Sequence, residues 1–226
     1  MPMINLEPLW LTAKLALITT IILLVVAIPL CYWLSYSRFK LKAVIEALIS
    51  LPLVLPPSVL GFYLLIAFSP ENAFGKFLSD YFDLRLVFSF EGLILASVLY
   101  SLPFMVNPIL SGLKNLPAAM QEASFTLGKS RLITLTKILL PNIRTSILTG
   151  IIMTFAHTIG EFGVVLMVGG SIPEETKVVS IAIYEEVEAM NYQSANIYAG
   201  ILFAFSFSVL LAVHLINNKS RKTALY

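Results

Sequence analysis

Two ionisable side chains, His157 and Glu161, lie four residues apart at the end of an otherwise apolar stretch. This spacing predicts that they share one face of a helix. An acid at the centre of a membrane costs about 2.5–3.5 kcal/mol on insertion scales, so Glu161 is a functional candidate if the stretch crosses a membrane. Three roles are open: a proton relay with His157, direct substrate contact, and a brace that bonds neighbouring backbone. Two ligands fall short of a metal site, so we expect none.

A second chemical motif, Gly128-Lys129-Ser130, has the ending of a phosphate-binding P-loop. That motif also requires a glycine five residues before Gly128 and a strand in front of it. The residue at that position is Ala123, and the pattern around it is helical. We therefore expect no nucleotide site on this chain.

Apolar residues recur at helical intervals both before and after Gly128. An amphipathic helix is predicted over 117–128, because Pro117 suits a first turn and Gly128 suits the left-handed residue that ends a helix. Ser130 can cap a second helix that leads into the next apolar stretch. The apolar face of the first helix consists of Leu116, Met120, Ala123 and Leu127.

The composition is that of an integral membrane protein. Of 226 residues, 58% are hydrophobic and only 12% are charged, with a mean hydropathy of +0.88. A soluble domain carries roughly twice that share of charge. The single cysteine, Cys31, excludes an intrachain disulfide and is expected to be a small buried hydrophobic residue.

Uncharged runs predict about five membrane-spanning helices, since a span needs roughly 20 apolar residues. They form a single domain over 1–226, with a core of about 10–217. A polar segment after the second run predicts an external loop with a short helix over 73–82, and 164–188 reads as a re-entrant or interfacial excursion. The five predicted spans are 15–37, 47–70, 92–113, about 141–160, and 189–218.

The second run contains three prolines, Pro52, Pro56 and Pro57. Prolines inside a span remove helical hydrogen bonds and force a kink or a break. Broken backbone persists in a membrane only where protein or a water-filled cavity covers it. This segment is therefore predicted to be either a packed kink or a broken helix beside a translocation path.

The distribution of charge predicts the orientation of the chain. With the N-terminus outside and five spans, 11 of the 15 lysines and arginines lie inside, as the positive-inside rule requires. The C-terminus, with Lys219, Arg221 and Lys222, is then cytoplasmic. Ten of the 13 acidic residues lie outside.

The stretch around Gly128 also carries a family pattern. Glu122-Ala123-Ser124, three residues, Gly128, nine residues and Ile138-x-Leu140-Pro141 resembles the cytoplasmic EAA loop of ABC importer permeases. The family usually has alanine where this chain has Ser124. The resemblance implies that a coupling loop over 115–141 docks on a separate ATPase subunit. The implied coupling residues are Glu122, Ala123, Ser124, Leu127, Gly128, Ile138, Leu140 and Pro141.

Three further segments resemble molybdate permeases: Leu-Pro-Leu-Val-Leu-Pro-Pro from Leu51, Gly-Glu-Phe-Gly from Gly160, and Ile-Pro-Glu-Glu-Thr-Lys from Ile172. The family has glycine where this chain has Glu174. The resemblance implies an all-α integral membrane protein with the type I ABC importer permease fold, about five transmembrane helices plus a cytoplasmic coupling helix. The implied function is molybdate import, with sulfate or tungstate as alternatives, and a proton-coupled secondary transporter or channel as an alternative of another class.

The implied partners are two copies of an ABC ATPase, a second copy of this chain, an extracytoplasmic molybdate-binding protein and the bilayer, with no nucleic acid. ATP and Mg would be bound by the ATPase, with no cofactor on this chain. The resemblance further implies a transport subunit of the bacterial inner membrane and not an enzyme. An acidic outer face repels a dianion, so capture is expected to fall to the binding protein. The candidate path or gate residues are Pro56, Pro57, His157, Gly160, Glu161 and Gly163.

Overall fold

The first helix, α1 (Glu7–Tyr36), is 30 residues long and carries no charged residue after Lys14. It opens a computed structural model that describes residues 5–223, with side chains described through residue 211. That part of the chain is helical and contains no strand. The described helices after α1 are α2 (Lys42–Ser50), α3 (Pro57–Phe68), α4 (Ala73–Phe82), α5 (Phe90–Lys114), α6 (Ala118–Thr126), α7 (Arg131–Asn142), α8 (Arg144–Ile159), α9 (Gly163–Gly169), α10 (Val179–Glu188) and α11 (Tyr192–Thr223).

Within the described residues, three helices are long and apolar enough to cross a membrane alone: α1, α5 and the first 20 residues of α11. Two bent pairs, α2 with α3 and α7 with α8, raise the number to five if each pair is one span. The sequence predicted five. The side chains of Lys219, Arg221 and Lys222, used to predict the orientation, lie outside the described residues.

The prolines of the second predicted span break it, as the sequence predicted. A 3-10 turn, Leu51–Leu53, ends the first half, and α3 begins at Pro57 with Pro56 as its N-cap. The two halves meet at 110°. The second bent pair turns by 78° between α7, whose middle turn Leu135–Leu139 is a π-helix, and α8. The short helix predicted over 73–82 is confirmed by α4 (Ala73–Phe82).

The main core lies where α1 packs against α5 and α8. Leu23 and Ala27 of α1 are fully buried, as are Val106 and Ile109 of α5. Cys31 is buried in the same cluster, and its thiol donates to the carbonyl oxygen of Val106 at 3.5 Å. The expected role of the cysteine as a small buried side chain is therefore confirmed.

The segment 164–188 forms two short helices, α9 and α10, separated by an ordered turn. The Thr176 hydroxyl donates to the Gly169 carbonyl at 2.7 Å and accepts from the Ile172 amide at 2.9 Å. Lys177 forms an ion pair with Glu185 of α10. Burial is the largest single effect on the pKa of Glu185 and raises it, but the lowering effects together, led by the hydrogen bond and the charge of Lys177, leave that pKa below its ordinary value. Helices of 7 and 10 residues are too short to span a bilayer, which fits the predicted excursion.

Candidate functional site

The predicted coupling helix is present as α6, which begins after Pro117 and ends at Thr126. Gly128 has φ +71°, the left-handed conformation predicted for it, and a Cβ built there meets no atom within 4 Å. Ser130 caps α7, because its hydroxyl accepts from the Ile133 amide at 3.3 Å. The glycine therefore allows a sharp turn between two helices in open space.

Ser124 is the one coupling residue of α6 that is buried, with 2% of its surface exposed. Its hydroxyl lies 2.8 Å from that of Thr134 in α7. Since Thr134 donates to the carbonyl of Ser130 at 3.0 Å, Ser124 is the donor in this pair. Ser124 therefore ties α6 to α7 and does not face outward as a docking residue.

Glu122 and Ala123 of α6 and Leu127, the residue that follows the helix, are exposed, and Leu127 has 75% of its surface exposed. The apolar face predicted for this helix is therefore not a core face along its whole length. Phe125 is also exposed, at 42%, although the sequence pattern did not single it out. In α7, Ile138 and Leu140 are half-buried and Pro141 is exposed. We call the exposed set Glu122, Ala123, Phe125 and Leu127 the coupling surface.

The predicted common helix face of His157 and Glu161 is wrong, because α8 ends at Ile159 and Glu161 lies beyond it. The two side chains nevertheless face the same helix. Ser97 of α5 donates to Glu161 Oε2 at 3.1 Å. Ser101, one turn further along α5, lies 3.0 Å from His157 Nδ1. The two serines thus form parallel links from α5 to α8 and to the segment after it.

His157 is enclosed by aromatic rings of α5. The Phe104 ring stacks on the imidazole with centroids 3.8 Å apart, and Tyr100 lies at 4.8 Å. Thr158 donates to the Thr154 carbonyl at 2.9 Å, so Ser101 donates to Thr158 across 3.1 Å. This assignment leaves Ser101 as the acceptor from a protonated Nδ1.

Glu161 has 4% of its surface exposed and connects three segments. Its carboxyl group accepts from Ser97, and its backbone carbonyl accepts from the Ser180 hydroxyl of α10 at 2.6 Å. The Glu161 carboxyl group was expected to bond neighbouring backbone, but it bonds the side chain of Ser97 instead. Within the described residues, Glu161 Oε1 has no protein partner and no side-chain hydrogen bond joins Glu161 to the His157 network. Through these two bonds, Glu161 links α10 to α5.

Gly163, two residues after Glu161, brings together two segments that were predicted to line the path, the start of α9 and the start of α3. A Cβ on Gly163 would lie 2.8 Å from the Pro57 Cβ, so the start of α9 contacts the start of α3 with no room for a side chain. Gly61 makes a similar approach to Met167, at 2.8 Å. Pro56 and Gly160 are exposed, and a Cβ on Gly160 would have its nearest neighbour at 3.7 Å, an ordinary contact distance. In the described part of the chain, no group of three or more acidic, histidine or cysteine side chains is placed to hold a metal.

A family model described as "Binding-protein-dependent transport system inner membrane component" matches residues 24–222. The molybdenum transport system permease protein ModB of Azotobacter vinelandii is 44% identical over 93% of this chain and 93% of its own length. A probable sulfate transport system permease protein of Helicosporidium is 33% identical over 92% of this chain and 77% of its own length.

Solved structures show the same fold. A chain of the MetNI methionine ABC transporter, in inward-facing conformations, superposes with a TM-score of 0.74 over 94% of both chains at 16% identity. A bacterial ABC transporter for the polysaccharide alginate gives a TM-score of 0.71 over 96% of this chain and 80% of that chain, at 17% identity. At these identities the likeness concerns the fold alone, and it is the type I ABC importer permease fold that the sequence predicted.

Proposed function

The chain belongs to the family of inner membrane components of binding-protein-dependent transport systems, and we propose that it is the membrane-spanning subunit of an ATP-driven molybdate importer. Members of this family are transport components, not enzymes, and work with an ATPase and a binding protein. Molybdate is favoured over sulfate because the molybdenum permease is more similar to this chain, and over more of its own length, than the sulfate permease.

The assembly that we propose contains two copies of this chain and two copies of the ATPase, with ATP and Mg bound only by the ATPase. The observation that carries the proposal is the coupling surface. Exposed apolar side chains, Phe125 and Leu127, stand on a short helix that Ser124 fixes to α7. Exposed apolar groups grouped on one polar segment mark a protein contact. ATP binding would draw the two coupling helices together, and hydrolysis would release them.

The candidate path lies where α3, α9 and α5 meet. Contact of Pro57 with Gly163 and the bond from Ser97 to Glu161 support a gate in which Glu161 holds α10 to α5. We propose that Glu161 positions this region and does not carry the ion. A proton relay with His157 would need a hydrogen-bonded path, and the two side chains belong to separate networks.

Uptake of labelled molybdate tests the proposal in cells that lack their own molybdate transporter. Uptake should require this chain, its ATPase and its binding protein together, and unlabelled molybdate should compete far better than sulfate. An uncoupler given while ATP is maintained should leave uptake intact. Uptake that collapses with the uncoupler, or that persists without the ATPase, would refute the importer and favour a proton-coupled transporter.

A further inference from the structure

A pocket of about 420 Å³ lies between the last turns of α1 and the helices α6 and α7, well apart in sequence from the polar cluster around Glu161. Ligand pockets have volumes of roughly 300–1,000 Å³, so this one can admit a headgroup or a small ion with its hydration. It is lined by Tyr32, Trp33, Tyr36, Ser37, Gln121, Phe125 and Arg131.

The polar groups of this pocket are mainly unused donors. Gln121 donates to the Tyr32 hydroxyl oxygen at 3.4 Å, which leaves the hydroxyl hydrogen of Tyr32 free. The Ser37 hydroxyl accepts from a backbone amide at 3.1 Å, so its hydrogen is also free. Within the described residues, neither the Tyr36 hydroxyl nor the Arg131 guanidinium bonds a protein acceptor, and no acidic side chain lines the pocket.

A guanidinium without a carboxylate partner, beside several hydroxyl donors, is suited to an oxyanion. Its planar fork bonds two oxygens of a phosphate-like group at once, and such charge-assisted bonds are about twice as strong as neutral ones. The structure therefore offers charge, donors and space in one place.

We propose that this pocket binds a tetrahedral oxyanion group, held by Arg131 and by the hydroxyls of Tyr32 and Tyr36. The group can come from the phosphate of an anionic phospholipid or from a free oxyanion in solution. The lining favours the lipid, because tyrosine and tryptophan concentrate where spanning helices leave the membrane, and basic pockets there bind lipid headgroups. Trp33 and Tyr36 lie in the last turn of α1, a candidate span.

The pocket connects the bilayer to the coupling surface. Gln121 and Phe125 line it from α6, one helical turn apart, while Tyr32 and Tyr36 line it from α1. An occupant would therefore hold α6 at a fixed position relative to the spanning helix. The occupancy of this pocket is measured without any transport. The proposal can therefore stand or fail separately from the proposed molybdate import.

Photocrosslinking of the whole transporter, with its ATPase, in phosphatidylcholine nanodiscs tests the proposal. A photoreactive phosphatidylglycerol should label peptides that contain residues 32–37 or 121–131, and unlabelled phosphatidylglycerol should compete. Inorganic phosphate and molybdate, added at constant ionic strength, should not compete. If either one does, the oxyanion site stands but the lipid source is wrong.

Three variants make the test specific. R131Q should lower the affinity for phosphatidylglycerol by roughly tenfold or more, since a bond to a charged group is lost. Y36F removes one donor without changing the charge and should lower it less. R144Q is the control, because Arg144 is exposed and lies outside the pocket. Absence of labelling in these peptides, or equal labelling in wild type, R131Q and Y36F, would overturn the proposal.

Discussion

Glu161 links α5 to α10 through one hydroxyl partner on its carboxyl group and one on its backbone carbonyl. A glutamine at this position keeps an oxygen that accepts from Ser97, whereas an alanine leaves that buried hydroxyl without its partner. A lost partner of this kind costs about 1–3 kcal/mol. Glu161→Gln should therefore insert normally and retain part of the molybdate uptake, and Glu161→Ala should lose most of it.

Uptake and membrane insertion are measured for both variants side by side, with Ser97→Ala as a matched partner change. Ser97→Ala should resemble Glu161→Ala if the bond itself carries the brace. Abolition of uptake by Glu161→Gln together with sensitivity to an uncoupler would instead identify Glu161 as a proton carrier.

Glu174 occupies a backbone conformation that suits glycine. Its φ is +66°, and it stands where the molybdate permease pattern has glycine. A residue with a Cβ pays about 1–2 kcal/mol in this region, partly offset by the greater chain entropy of glycine. Glu174→Gly should therefore raise the free energy of unfolding by up to about 1 kcal/mol. Thermal unfolding of the purified protein measures the gain, and Glu175→Gly, at a neighbouring position without positive φ, should give none.

At the scale of an element, the proposed coupling helix α6 depends on Gly128, which forms the turn after it. Because a Cβ on Gly128 would meet no atom within 4 Å, a valine there is expected to act chiefly through the strained φ, at about 1–2 kcal/mol. Gly128→Val should redirect α6 without disturbing any span, so the chain should insert normally yet bind its ATPase poorly and lose uptake. Co-purification of the ATPase measures this effect.

Gly128→Asn is the matched control, since asparagine tolerates the left-handed region far better than valine does. It should retain more ATPase and more uptake. Full ATPase association and full transport in Gly128→Val would show that the helix 117–128 is not the coupling element.

Local elements were largely predictable from sequence, because the signals that make them are local. The proline break after Ser50, the cap at Ser130 and the turn at Gly128 each follow from the chemistry of one or two residues. The partners of these elements were not predictable. Ser97 meets Glu161 across 64 positions of sequence, and periodicity says nothing about which helix lies opposite.

The coupling helix shows the same limit. An apolar stripe on α6 indicates that some surface will cover it, yet it does not say whether that surface belongs to this chain. Leu127 is exposed and Ser124 is buried, the reverse of their order in hydrophobicity. An apolar face that contacts a partner subunit has the same sequence pattern as one that packs in the core of its own chain.

At the scale of the whole molecule, contacts between distant segments define two groups of loops, one near each predicted membrane surface. At one end, the Phe88 amide donates to the Val168 carbonyl at 2.9 Å, and the Tyr198 hydroxyl donates to the Asn5 carbonyl at 2.8 Å. Of these residues, Asn5 and Phe88 were predicted to lie outside. At the other end, Lys114 pairs with Glu46 at 2.8 Å, and both were predicted to lie inside. Glu46, near the start of the segment 42–68, belongs to the second group, and Phe68, at its end, packs in one cluster with Val168 of the first. This favours a broken span over a re-entrant loop.

Labelling of single cysteines from outside the cell decides between these two readings of the 110° bend. If 42–68 crosses the membrane, a cysteine at Lys76 should react with an impermeant thiol reagent, as should one at Glu175, while cysteines at Lys40 and Lys129 should react only after the membrane is permeabilised. All four sites are exposed, and the native Cys31 is buried and should give little background. If 42–68 is re-entrant, Lys76 falls on the same side as Lys40 and stays unlabelled. Labelling at Lys129 from outside would contradict the orientation predicted from the charge distribution, and with it the contact of α6 with a cytoplasmic ATPase.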